Sequence, residues 1–236
     1  MPRKTAVLED HRTRVGAEKR ERMRKRLVEC AMLVFAEKGV DASVIDDVLG
    51  AAKIARGTFY YYFRTNHELL SAASDEILNE MLGLIEAVVS EYEDPAKRIA
   101  TGLRLYFHTA RKYPLFAKFI SRSGFQVDSP NSRFYEFLPP HIQAAMDGGR
   151  FKNLRMDVAL DLIYGTSMVA LFRMSTAHVV EDYPEQVVAT ILRGLGMKES
   201  ETIKLISQKL MPMTPPPDSL LERSKARSLS TTTHAA

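Results

Sequence analysis

The chain has 236 residues, 33 of them Lys or Arg and 29 Asp or Glu, for a formal charge of +4. With 45% hydrophobic and 26% charged residues it has the composition of a soluble globular chain of one to two domains, which excludes global disorder and a collagen-like repeat. Its single cysteine, Cys30, excludes an intramolecular disulfide and a thiolate zinc site and fits a reducing cytosol.

In chain order, residues 1–20 are expected to form a basic, flexible arm. Over residues 1–26 ten bases face four acids, a net +6, so the remaining 210 residues carry −2. A basic arm ahead of a near-neutral body is the footprint of a polyanion binder. A solvated leader is the alternative that charge alone leaves open. The opening segment has no apolar stretch of the kind a secretory leader carries.

Apolar spacing is helical almost throughout. Leu27, Ala31, Val34 and Phe35 form one face of a first helix that Gly39 stops. Ser43 is the expected cap of a short helix to about Ala52, and a third short helix covers about Ala55 to Phe63. Thr65 caps a long helix ending near Glu93, and Pro95 opens the next one. Pro114 breaks that helix, and a short one carrying Phe116 and Phe119 follows. The stretch GFQVDSPNSRFYEFLPPH predicts an irregular loop, with a helix from Pro140 to Met146. Two helices over about Met156–Ala177 and Pro184–Leu195 close the body, with a weaker one from Glu199 to Leu210. From Met211 the periodicity is lost, which predicts a disordered tail over 211–236. The longest uncharged apolar run, Leu162–Phe172, is shorter than the ~20 residues of a membrane span. The expected architecture is all-α.

Two short helices after a longer one, joined by a tight turn, have the form of a helix-turn-helix. On the third helix Phe59 and Phe63 are spaced i, i+4 and can anchor it to the core. The opposite face carries Gly57, Thr58 and Tyr61, with Tyr60 and Tyr62 on its flanks. A helix lying in the major groove uses such groups: a glycine allows close approach to phosphate, and Thr and Tyr contact phosphate or base edges. Arg56, at the helix start, can reach a guanine or a phosphate. Mixed core and surface packing is the bland reading of a Tyr-Tyr-Tyr run.

The segment RKRLVECAMLVFAEKGVDASVIDDVLGAAKIARGTFYYYFRTNHELL resembles the DNA-binding domain of the tetracycline-repressor (TetR) family. Its most specific piece is G-T-F-Y-Y-Y-F, Gly57 to Phe63, after A-x-x-x-F-A-x-x-G at Ala31, Phe35, Ala36 and Gly39. The resemblance covers roughly residues 21–81 and implies a homodimeric regulator, usually a repressor, that binds double-stranded DNA. It puts contacts to DNA at Ser43, Val44, Arg56, Thr58, Tyr60, Tyr61 and Tyr62. Gly57, Lys53 and Asn66 complete the expected interface. Where the family pattern usually has Gly in the turn, this chain has Lys53. Ala55 replaces a frequent Ser cap, Asn66 a phosphate-binding Lys, and His67 an acid. Residues 27–70 carry a net −2, so the basic arm is expected to supply phosphate neutralisation.

Residues 82–210 are expected, on the same resemblance, to form a helical domain that dimerises and binds a small-molecule effector of largely apolar character. Val169, Phe172, Val188, Ile191, Leu192 and Leu195 are the expected dimer contacts. Phe107, His108, Arg111, Phe116, Phe119, Tyr164 and Met168 are the expected pocket residues, with His141 as a further ligand-orienting candidate. An anionic amphiphile such as a fatty acyl species is one candidate effector. No nucleophile elbow, H-E-x-x-H, P-loop or C-x-x-C is present, so neither catalytic residues nor a metal or cofactor are expected. A ligand-blind architectural or protein-interaction DNA-binding protein, and an activator, remain the alternatives.

Overall fold

A computed structural model describes residues 3–39, 44–123, 133–211 and 213–233, with side chains described from residue 14 to residue 226 within those ranges. The described residues form eleven helices and no strand. Ser43 lies outside them, as do the side chains of Arg3, Lys4 and Arg12.

The first helix, α1, spans Arg3–Lys38 and begins far ahead of the expected Leu27. Its leader is therefore a helical extension rather than a flexible arm. The cause is local. Ala, Glu, Lys and Arg dominate the leader, and all are good helix formers. Arg14 pairs with Glu18 at 3.8 Å and Lys25 with Glu21 at 4.0 Å, both at i, i+4 spacing. The second half of α1 buries Leu27, Val28, Ala31, Met32 and Phe35. Gly39, at φ +89°, ends the helix, with its N–H donating to the Phe35 carbonyl.

Helices α2 (Ile45–Ala52) and α3 (Arg56–Tyr62) pack beside α1. Then α4 (Asn66–Val89) runs from the head into the body. Thr65 Oγ1 accepts from the Glu68 N–H at 3.0 Å, while the Glu68 carboxylate accepts from the Arg64 N–H, which closes a capping-box variant. Asp94 caps α5 (Pro95–Lys112), and α6 is Pro114–Ser123. Packed between α1 and the later helix α8 (Met156–Thr176), α6 links head and body through one core. Phe119 of α6 stacks on Phe35 of α1 at 6.5 Å. Helix α9 (Tyr183–Gly194) ends before Gly196, at φ +92°, and α10 (Glu199–Ile206) follows.

Two further segments differ from the sequence reading. Helix α7 occupies Phe134–Asp147, so FYEFLPPH is helical and only the stretch before it remains a loop candidate, outside the described residues. Pro139 and Pro140 remove the N–H groups that would bond the Tyr135 and Glu136 carbonyls. Both of those residues are exposed, so water can reach them, while Ile142 and Ala145 are buried.

The tail expected to be disordered carries α11 (Leu220–Thr233), which packs on α1, α4 and α6. Leu220 and Leu221 are buried, and their N–H groups donate to the Glu80 carboxylate at 2.7 and 3.2 Å. Arg223 reaches the buried Glu29 of α1 at 2.6 Å, and the Tyr113 hydroxyl donates to Glu222. The signal was S-x-x-E: Ser219 Oγ accepts from the Glu222 N–H at 3.2 Å.

Candidate nucleic-acid interface and a cavity in the helical body

The turn between α2 and α3 is closed by the Lys53 N–H donating to the Gly50 carbonyl and the Ile54 N–H to that of Leu49, both at 3.1 Å. This double closure requires a left-handed residue, and Lys53 sits at φ 50°, ψ 51°. A side chain at such a position costs about 1 kcal/mol relative to glycine. The two hydrogen bonds hold Lys53 at the exposed corner of the motif. Ala55 opens α3 without a side-chain cap.

The aromatic run of α3 divides as its period demands. Phe59 is 0% exposed and Phe63 3%, whereas Tyr60 is 51% and Tyr61 67% exposed. Gly57 and Thr58 are exposed on the same side, and a Cβ at Gly57 would meet nothing within 4 Å. Tyr62 is half-buried and packs edge-on to Tyr61 at 5.1 Å. Arg56 pairs with Asp46 at 2.5 Å, and that hydrogen bond and charge hold its guanidinium above the ordinary arginine pKa. Lys38 pairs with Asp47 at 2.6 Å. The two acids in the first turn of α2 are thus covered by bases from α3 and α1. Arg24 lies 5.8 Å from the Phe63 ring centroid and bonds Glu76 of α4 at 3.2 Å, fastening the basic helix to the head.

One expected DNA contact is corrected. Val44 is buried, so its side chain belongs to the core under α2. Asn66 is half-buried at the first turn of α4, and Lys53, Arg56, Gly57, Thr58, Tyr60 and Tyr61 share the exposed side of the motif.

The expected dimer contacts separate into two groups. Val169 is 60% and Phe172 57% exposed on α8. With Val158, Leu162 and Gly165 they continue one stripe at helical spacing. Val188, Ile191, Leu192 and Leu195 are all fully buried within the chain, and α9 turns Gln186, Thr190 and Arg193 outward instead. The cause is the close contact of α9 with α8, where a Cβ on Gly194 would fall 2.7 Å from Leu162. By length and composition α8 is apolar enough to cross a bilayer, yet Ala159, Ile163, Ala170 and Leu171 are buried in this fold.

A cavity of about 110 Å³ opens between α4, α5, α7 and α8. Of the expected pocket residues, Tyr164 lines it. Phe107, Phe116, Phe119 and Met168 are buried core. His108 holds Glu185 at 2.7 Å, and Arg111 donates to the carbonyls of Glu181 and Val180, so both tie α5 to the start of α9. The polar groups in the wall include Glu86, Arg98, His141 and Ser167, of which only His141 was singled out in the sequence. Their signal was a polar residue inside an apolar stripe, Glu86 between Ile85 and Val89, and Ser167 one turn after Ile163. His141 Nε2 lies 3.1 Å from Glu86 Oε2. Arg98 donates to the carbonyls of Tyr92 and Ser90 at 2.5 and 3.2 Å. Burial pushes the Tyr106 phenol above its ordinary pKa, and Tyr164 adds to the shift, so it stays protonated.

Comparison with known proteins fits this geometry. Residues 27–73 match the family described as bacterial regulatory proteins, tetR family, and residues 94–208 match the tetracyclin repressor-like, C-terminal domain. The chain belongs to the TetR family. It is similar to the transcriptional regulator EthR of Mycolicibacterium smegmatis, 27% identical over 69% of this chain and 82% of that protein. The repressor KstR2 of the same organism is 21% identical over 75% and 93%. Among solved structures, RolR in complex with resorcinol superposes with a TM-score of 0.68 at 25% identity, covering 84% of this chain and 100% of RolR. This TetR chain is a DNA-binding transcriptional regulator and not an enzyme.

Proposed function

We propose that this TetR regulator is a cytoplasmic homodimeric repressor that grips a palindromic operator with two copies of α3 and is released by a small molecule entering the body cavity. The observation that carries the reading is the split of α3, with Phe59 and Phe63 locked inward and Tyr60 and Tyr61 held outward. Phenols on an exposed helix face, beside Thr58 and Arg56, offer donors, acceptors and rings to a groove. The bases of α1 supply the charge that the head lacks. The exposed α8 stripe supports pairing with a second copy, which places two recognition helices for half-sites ~34–36 Å apart or a multiple of it. The cavity supports effector binding, as does the resorcinol held by RolR.

Rounds of selection from random-sequence duplex, followed by titration at two salt concentrations, test this. Enrichment of a palindrome with affinity falling steeply as salt rises is the expected result. Strong binding that enriches no sequence would leave an architectural DNA binder instead.

A further inference from the structure

The cavity wall of this regulator narrows the chemistry of what enters it. Its two charged side chains already have hydrogen-bond partners in the protein. The Arg98 guanidinium is held against the carbonyl end of α4 by the bonds to Ser90 and Tyr92. The Glu86 carboxylate is engaged by His141. Ser167 differs from both: it is 7% exposed, it lines the cavity, and its hydroxyl has no hydrogen-bond partner among the described residues. A buried hydroxyl left unpaired is unfavourable, so a partner brought in by a ligand is favoured.

Size and walls restrict that partner further. An apolar cavity of about 150 Å³ holds one benzene ring, so 110 Å³ is on the scale of a single small ring. Tyr106, Phe134, Phe137 and Tyr164 give it aromatic walls. A carboxylate ligand would lie against the Glu86 carboxylate, and an ammonium would compete with His141 while facing Arg98. A neutral hydroxyl avoids both conflicts, because it donates to a carboxylate and accepts from a serine or an imidazole.

We propose that this cavity binds an uncharged single-ring molecule bearing a hydroxyl group, with the hydroxyl held by Ser167 and the Glu86–His141 pair. The assignment rests on the reading of the chain as an effector-responsive regulator and deepens it to a ligand class.

Calorimetry and thermal denaturation of the full chain, without DNA, with phenol, toluene, benzoate and benzylammonium as probes at neutral pH, test it. Phenol is expected to bind at least tenfold tighter than toluene, and the two ions to produce no thermal shift. Ser167→Ala is expected to erase the preference for phenol over toluene while toluene binding is retained, and His141→Gln to reduce it. Benzoate or benzylammonium binding as tightly as phenol, an undiminished preference in Ser167→Ala, or no binding by any probe would overturn the proposal. A separate titration of phenol into the complex with selected duplex distinguishes the underlying reading. Binding without DNA release contradicts the effector role while leaving the ligand class intact.

Discussion

The recognition helix and the α8–α9 layer use apolar residues in opposite ways. In α3, seven residues long, Phe59 goes fully inward together with Phe63 just past the helix end, and two tyrosines stand out in solvent. Three residues of α9 expected at a partner surface, and Leu195 just after it, are all consumed by the chain's own core, and α8 alone keeps Val169 and Phe172 exposed. A short helix with one i, i+4 anchor pair has only one way to face its core, so the remaining side chains are assigned by elimination. A helix apolar on several faces has more than one, and its own chain competes with a partner for each.

Breaking the anchor has the largest expected effect. Phe59→Ala removes a fully buried ring and should destabilise the head by about 3–5 kcal/mol, read by chemical denaturation, with loss of all DNA binding. On the other side of the comparison, Phe172→Asp puts a charge on the exposed stripe of each copy. It should weaken the dimer by about 2–3 kcal/mol, roughly 100-fold in dissociation constant by sedimentation, without altering the monomer's helix content. Val188→Asp should instead unfold the body, because that side chain has no solvent face.

Head and body also meet at α11, which sharpens the comparison. Arg223→Ala removes the 2.6 Å ion pair to the buried Glu29 carboxylate, and Arg223 itself is a third exposed. A loss of about 1–3 kcal/mol is expected, with the melting of head and body separating. Lys53→Gly has the smallest effect and the opposite sign. Relief of the left-handed backbone should stabilise by about 0.5–1 kcal/mol, while the salt slope of DNA binding falls by about 1 if Lys53 touches phosphate.

What the sequence made legible follows the same division. The helix-turn-helix was readable because the helical period over Arg56–Phe63 and the G-T-F-Y-Y-Y-F motif agree, although Ala55 supplies no cap and Lys53 no turn glycine. Val44 was named from the family resemblance alone, and its side chain is buried under α2. The cavity was not readable from large aromatics: Phe107, Phe116 and Phe119 have the size of pocket residues but the helical phase of core. Its polar wall is drawn from four helices distant in the chain, and no local pattern brings Glu86, His141 and Ser167 together. In α11, loss of apolar periodicity concealed a helix whose ordering comes from Glu80, Glu29 and two leucines.

The most direct test of the account is the affinity of Tyr61→Ala for selected and for random duplex of equal length, measured side by side with the unaltered chain. Tyr61 is the most exposed ring on α3 and supports no core. The account predicts a loss of about 1–3 kcal/mol on the selected duplex, little change on the random one, and an unchanged melting temperature. Equal affinity of the variant and the unaltered chain for the selected duplex would contradict it and remove this face of α3 from the interface.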